Sequence, residues 1–395
     1  MMQPRFLYYL FLVNVLANGI GTVPRLLLER RHAGVFLDLA AGWLFSSVYF
    51  VFFTRLLARA PAIDIPTLWK TALPAPLGPP LLALFALEWL VAGALNLYLI
   101  TEISAKYLNV DAPGQALLWL FLLLAFFIAR FDTPNVLFGL ELSFILTLPL
   151  LFITFGAALS GQPLLWEGVA KLLRETGRPD WLSLNAASYP FAGFLNLTVF
   201  HRVLAPDYPL RRIAFMAALG GGLYAFLFVL PIALLGTEAV ALYAYPWVIA
   251  ANALRIEHAP IERAFYPVLI GYLNVAILNA ILHWHVALRF LAPLTAAPAK
   301  AATDVRARLT GWLSARWPEA ALAAFAGLVI PAAYREWPMD RLYAVSRLWF
   351  AQLVPAELLA FALIAWAIKR KGGGTGSGGR RRRPAGRRRR PDPAR

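Results

Sequence analysis

Asn18-Gly19-Ile20-Gly21-Thr22-Val23-Pro24 interrupts an apolar stretch, 6–28, that is otherwise long enough to cross a bilayer. Proline removes a backbone donor and clashes with the preceding turn, and glycine weakens a helix interior. In hydrocarbon each freed backbone group needs a partner or a wet cavity. The chemistry open to such a break is recognition. Amides around Gly19, Ile20, Gly21 and Thr22 can face an anionic group, such as an amino acid carboxylate, beside a half-helix N-terminus. The carbonyl before Pro24 can take an ammonium or an ion. Broken spans of this kind are where many secondary transporters hold small solutes. Glycine and proline are also common in membrane helices, so the motif needs a counterpart before it points to a site.

A counterpart opens the second half of the chain, as Asn185-Ala186-Ala187-Ser188-Tyr189-Pro190-Phe191-Ala192-Gly193. Paired interruptions at corresponding positions of two halves are the best sequence pointer to a transporter-type binding site. The hydroxyls of Thr22, Ser188 and Tyr189 are placed to orient a ligand, Pro190 and Gly193 to loosen the backbone, and Phe191 to cover the site. Acids within spans are costly and functional by default. Glu88 lies well inside a span and is assigned to the site. Glu102 and Glu141 lie nearer span ends, where their side chains can reach the interface. Asn274, with Asn279, offers either a ligand contact or an interhelical hydrogen bond.

His283 and His285 flank Trp284, but residues two apart on a helix diverge, so they do not share a metal. There is no H-E-x-x-H, nucleophile elbow or P-loop, and cysteine is absent, which removes disulfides and thiolate chemistry. No catalytic residue, metal site or cofactor is expected, and the chain is not read as an enzyme.

The elements that must position these residues are membrane helices. Of 395 residues, 60% are hydrophobic and 15% charged, with a mean hydropathy of +0.63. Soluble domains are far more charged, so the chain is an all-α polytopic membrane protein. About ten spans are expected, at 6–28, 35–57, 77–103, 115–131, 136–159, 181–203, 213–235, 265–288, 320–333 and 348–368. The run after Met1-Met2-Gln3-Pro4-Arg5 could pass for a signal peptide. It resumes beyond Pro24, with many further spans behind it, and is read as the first span. Repeats of five spans, about 6–159 and 181–368, would be related by inverted topology, with the first and sixth spans broken. A polar loop is expected over 162–179, short surface helices over 238–262 and an amphipathic surface connector over 295–317.

Residues 1–368 form the membrane domain and 369–395 a disordered Gly/Arg-rich tail, which carries most of the formal charge of +16. Ten spans put both termini on one side. Outside the tail, Lys and Arg divide almost evenly, so the tail alone places the termini in the cytoplasm. Its arginine blocks, 380–383 and 387–390, suit anionic lipid headgroups or a solvated topology signal. They lack the aromatic interleaving of a nucleic-acid binder.

Several segments together resemble the B-subunit (GerAB-type) family of spore germination receptors, within the amino acid–polyamine–organocation superfamily. They are the opening G-x-G-x-x-P, then Ser188-Tyr189-Pro190-Phe191 followed by Phe200-His201-Arg202 and Arg211-Arg212, then Tyr245-Pro246, Arg255-Ile256 and Ile261-Glu262-Arg263. The resemblance runs over about 6–369 and rests on order and spacing. It implies a LeuT-type fold and recognition of a small nutrient, such as an amino acid, in the spore inner membrane. The implied partners are an A-type subunit and a C-type lipoprotein. Where that family often carries a glutamate shortly after the sixth-span Pro-Phe, this chain has Ala192-Gly193-Phe194, so any cation contact of that carboxylate is missing. The alternative reading is an ion-coupled amino acid permease of the same superfamily. Under either, Gly21→Leu is expected to abolish the ligand response, and an unchanged response in a normally inserted variant would remove Gly21 from the site.

Overall fold

The computed structural model describes residues 2–61, 63–108, 113–160, 163–204, 208–255, 263–295 and 305–374. The arginine blocks, the Ile256 and Ile261-Glu262 parts of the resemblance, and residues 296–304 of the connector lie outside them. Among the described residues every regular element is helical; Met2 with Leu204 and Arg255 with Arg263 form isolated bridges.

Helix α1 (Phe6–Ile20) meets α2 (Thr22–Leu28) at a 52° bend, and the two make the first span. The second is α3 (Val35–Leu57), followed by the short α4 (Ile65–Ala72), which starts at Asp64, whose carboxylate accepts the Thr67 amide at 3.0 Å. Helices α5 (Gly78–Tyr107), α6 (Gly114–Ala129) and α7 (Thr133–Ser160) complete the first half. After α8 (Trp166–Arg174), the sixth span runs as α9 (Trp181–Ser188), a 3-10 segment (Tyr189–Asn196) and α10 (Leu197–Phe200). Then come α11 (Leu210–Leu235), α12 (Pro246–Ala253) and α13 (Phe265–Leu291). The ninth span is α14 (Val305–Ala324) and α15 (Ile330–Glu336), joined by a π-helical stretch, Phe325–Val329; the tenth is α16 (Met339–Ala351) and α17 (Leu353–Gly374). Among the described residues seven helices can cross a membrane by length and hydropathy, and the bent first pair makes eight. The shorter apolar α6 and the broken sixth run fill the remaining two positions of the expected order.

Burial sorts the spans. In α13, 78% of the apolar window is buried, against 33% in α7, so α13 runs through the centre and α7 lies at the edge. Leu142, Leu146 and Phe152 on α7 are 63–70% exposed, an apolar surface that suits lipid. Inside, close backbone approach replaces the hydrophobic effect as the organising force, because lipid is as apolar as the core. A Cβ on Gly193 would lie 2.6 Å from the Leu10 carbonyl oxygen, and one on Gly42 would lie 2.7 Å from Ala187. These two glycines let α1 pack on the 3-10 segment and α3 on α9.

Three expectations change. The ninth span is longer than 320–333, because the helix enters it from the connector and continues across the π stretch to Glu336. The described part of the connection after α11 lies only partly on the surface, with Leu242 and Tyr243 exposed. Its α12 buries Pro246, Trp247, Val248, Ala250 and Ala251, and the Trp247 indole donates to the Leu227 carbonyl at 2.6 Å. The tenth span, expected as one regular helix, is also interrupted, at Gln352, where Pro355 withholds the amide that the Ala351 carbonyl would accept and that carbonyl takes the Trp181 indole instead.

Gly42→Leu is expected to lower stability by about 1–3 kcal/mol through overpacking against backbone. Gly139 has open space around it, so Gly139→Leu is the control. Equal melting temperatures of the two variants in detergent would count against the close approach of α3 and α9.

Candidate functional site

The sixth span does not open into an unwound gap. The chain passes from α9 into 3-10 geometry at Tyr189, and the tighter winding with Pro190 strips carbonyls of their helical donors. Those carbonyls are satisfied from other spans. Asn14 Nδ2 on α1 donates to the Tyr189 carbonyl at 2.6 Å and to the Pro190 carbonyl at 3.0 Å. Ser46 Oγ on α3 donates to the Ser188 carbonyl at 3.0 Å. Asn14 is itself set by the run of α1, where Asn18 Nδ2 donates back to its main-chain and side-chain oxygens. The carbonyls that the proline break at Pro190 frees are therefore already met by protein donors.

The first break is also closed. The Gly21 amide donates to the Ala17 carbonyl at 3.2 Å, so it does not point at a ligand. A Cβ on Gly21 would lie 3.1 Å from Leu99 Cδ2 and 3.4 Å from the Tyr272 hydroxyl, and one on Gly19 would lie 2.6 Å from Leu227 Cδ1. Both glycines serve packing, against α5 and α13 and against α11. Gly21→Leu consequently perturbs helix packing as well as any ligand.

The tenth-span break is tied to both halves. Asn185 Oδ1 accepts the Val354 amide at the start of α17 at 2.8 Å, and Gln352 Nε2 donates to Glu88 on α5 at 2.7 Å. Beside these breaks lies a cavity of about 60 Å³, measured as space open to the centre of a water molecule. That is room for several waters or a small ligand. Its polar lining includes Asn14, Glu88, Tyr189, Thr198, His283 and Glu357. Its aromatic wall is Trp69, Phe85, Trp89 and Phe290, with ring centroids 4.9 Å apart for Trp69–Phe85 and 5.2 Å for Trp89–Phe290. A smaller cavity of about 20 Å³ is lined by Asn18, Thr22, Asn96 and Leu99. Along α5 the larger takes Phe85 to Ala92 and the smaller Ala92 to Leu99, so they are stacked across the membrane. Tyr189 and Trp349 line both, in edge-to-face contact at 4.7 Å.

Tyr189 is fixed from a third side. The His283 Nδ1–H donates to the Asn279 carbonyl, which leaves Nε2 to accept the Tyr189 hydroxyl at 3.3 Å. His285 turns the other way, to Thr133 Oγ1 at 3.0 Å and the Ala129 carbonyl at 2.9 Å, so the two histidines do diverge. Glu357 is 3% exposed, and neither of its carboxylate oxygens has a hydrogen-bond partner.

Of the residues assigned from sequence, Thr22, Tyr189 and Glu88 line the cavities. The others sit elsewhere. Ile20 is core, and Ser188 Oγ donates to the Asn185 carbonyl at 2.8 Å. Phe191 packs edge-on against Tyr224 at 5.4 Å, away from the cavity, and Pro190 and Gly193 shape backbone. Asn274 faces α7, donating to the Ser143 carbonyl at 3.1 Å and to Thr147 Oγ1. Glu141 pairs with Arg5 at 2.6 Å near the end of the bundle where the chain begins. Sequence reasoning passes over Asn14, Trp349 and Glu357, and weighs His283 only as a metal ligand. Two of them were readable: Asn14 as an amide within an apolar run, and Glu357 by the same rule for acids inside spans that selects Glu88.

Asn14→Ala orphans two buried carbonyls at about 1–3 kcal/mol each. Asn14→Asp, which keeps the size but offers no donor when ionised, is expected to cost at least as much. Thermal unfolding in detergent measures both. Wild-type stability for Asn14→Asp would mean that the clamp contributes nothing.

No protein-family model matches the chain, and no curated protein is significantly similar to it. Among solved structures it is similar to Mhp1, a nucleobase-cation-symport-1 family transporter in a closed conformation with bromovinylhydantoin bound. The TM-score is 0.51 at 13% identity, over 95% of this chain and 93% of that one. A manganese transporter from Eremococcus coleocola, solved with an aromatic bis-isothiourea substituted compound, aligns over 92% of this chain and 94% of that one at a TM-score of 0.36 and 14% identity. The likeness to Mhp1 is one of fold, and none of these comparisons singles out the GerAB-type family. The chain is an integral multi-pass membrane protein with a LeuT-type fold.

Proposed function

We propose that this chain recognises a small organic nutrient in the larger cavity and converts its occupancy into movement of the broken spans. The observation that carries this reading is the placement of the cavity where the first, sixth and tenth spans meet, with Asn14, Tyr189 and Glu357 in its wall. The sequence resemblance supports the role of ligand-recognition subunit of a spore germinant receptor, with an amino acid as the expected nutrient. In that role it would sit in the spore inner membrane with an A-type subunit and a C-type lipoprotein. Both termini would be cytoplasmic, with the arginine tail near anionic headgroups.

A second reading, an ion-coupled amino acid permease, is favoured by the two stacked cavities divided by Tyr189 and Trp349. Alternating access gates a midplane site from either side, and an aromatic pair between two compartments is one way to build such a gate. Proteoliposomes containing this chain alone separate the readings, since accumulation of labelled solute under an ion gradient supports the permease. Binding without uptake supports the receptor.

Ala92 lines both cavities and is buried, so Ala92→Phe fills the space between them. A ligand at 100 times its Kd stabilises the wild type by about 2.7 kcal/mol, and the variant is expected to lose this shift. Retention of the full thermal shift in folded Ala92→Phe would place the ligand elsewhere.

A further inference from the structure

We propose that the ligand of this cavity is an organic ammonium compound without a neighbouring carboxylate, and that Glu357 is its counter-ion. The inference rests on the reading of the cavity as a ligand site and departs from the amino acid expected from the sequence resemblance, replacing it with an amine.

Glu357 on α17 is one of the residues lining the cavity, and both its carboxylate oxygens are buried and unpartnered, with the residue 3% exposed. The Tyr49 hydroxyl on α3, 2.6 Å away, donates to the main-chain carbonyl of Glu357 and leaves the carboxylate unserved. A carboxylate buried in this way costs several kcal/mol unless a donor or a positive charge meets it. Nothing on the protein supplies one: no lysine or arginine lines the cavity. The second carboxylate, Glu88, is already served by Gln352. The other unpartnered polar atoms in the same wall are few. They include Thr198 Oγ1, able to donate or accept, and Trp69 Nε1, able to donate, and neither is hydrogen-bonded to the Glu357 carboxylate.

The remaining wall favours the same class. Trp69, Phe85, Trp89 and Phe290 form one aromatic cluster, and aromatic faces attract ammonium groups by their quadrupoles. A metal ion instead needs a cage of oxygens. Among the described residues no group of three or more His, Asp or Glu side chains could form one. The carbonyls that could have met an ammonium at the sixth-span break, those of Tyr189 and Pro190, are held by Asn14. The positive group is thereby directed to Glu357. A ligand carboxylate has no comparable place. No lysine or arginine lines the cavity, the His283 Nδ1–H is held by the Asn279 carbonyl while its Nε2 accepts from Tyr189, and Glu88 and Glu357 both repel an anion.

The test compares matched pairs that differ only in the carboxylate: ethylamine with alanine, ethanolamine with serine and isobutylamine with valine. Binding to the purified full-length protein is read by thermal shift and tryptophan fluorescence. At least one amine is expected to bind about tenfold or more tightly than its amino acid, and Glu357→Gln to weaken it about tenfold or more. Should Glu357→Gln fail to fold, Glu357→Asp is expected to keep the preference for amines, and the pair comparison on the wild type stands without any variant. Amino acids binding as tightly as their amines, with Glu357→Gln unchanged and Ala92→Phe blocked, would overturn the charge assignment and leave the site intact. Binding of either class that survives Ala92→Phe would overturn the site reading itself. A wild type indifferent to every amine, together with a more stable Glu357→Gln, would mean a buried neutral acid and would also overturn the inference.

Discussion

A peptide carbonyl released from its helix inside hydrocarbon has no water to turn to, and Tyr189 and Pro190 present two of them in succession. The amide of Asn14 meets both, at 2.6 and 3.0 Å. Ordinary interhelical hydrogen bonds contribute only about 0.6 kcal/mol on average, because the separated helices also find partners. An orphaned buried acceptor costs more, about 1–3 kcal/mol. The asymmetry explains why the first span must lie against the sixth, and why Gly193 is needed to let Leu10 and Phe11 approach. Once Asn14 is in place, the 3-10 segment can persist in the membrane, and Tyr189 is held at the centre.

The same constraint repeats at the other breaks. Ser46 serves the Ser188 carbonyl, and Asn185 serves the first free amide of α17. Gln352, at the tenth-span break, turns to Glu88. The interruptions are thus stitched to one another by side-chain amides and hydroxyls, and their backbone groups are not left open for a solute. What remains for a solute is the space beside the stitches, where side chains line the wall. Under the proposed function, recognition falls to Tyr189, His283, Glu88 and Glu357, more than to the glycine amides that first draw attention.

The two halves are also joined at the end of the bundle remote from the N-terminus. Asp38 is fully buried at the start of α3, where Arg30 Nε donates to it at 2.9 Å and the Asp180 amide at 3.1 Å. Asp180 in turn accepts the Ser183 amide and so begins α9. The end of the first span and the start of the sixth are thereby anchored through one carboxylate. Nearby, Glu29 after α2 receives the Tyr343 hydroxyl at 2.8 Å and pairs with Arg347, both on α16. The broken spans are pinned at their outer ends as well as at their breaks.

The residue sequence alone determined the class of the molecule, the order of its spans and the location of two of its breaks. Each depends on local chemistry: apolar length decides whether a helix crosses a bilayer, and proline with glycine decides where it cannot stay regular. Tertiary structure decided which way each side chain faces. A helix apolar on all sides carries no stripe that reveals its inner face, so Gly19, Phe191 and Asn274 could be named from sequence but not aimed. They turned to Leu227, Tyr224 and Thr147. The tenth-span break at Gln352 also carried a local sign, Pro355 three residues on; what the sequence did not show is that Asn185 and Glu88, more than a hundred positions away, meet its polar groups. Glu357 carried a readable sign, an acid within a span. That it stands unpartnered in an aromatic cavity is a property of the packed bundle.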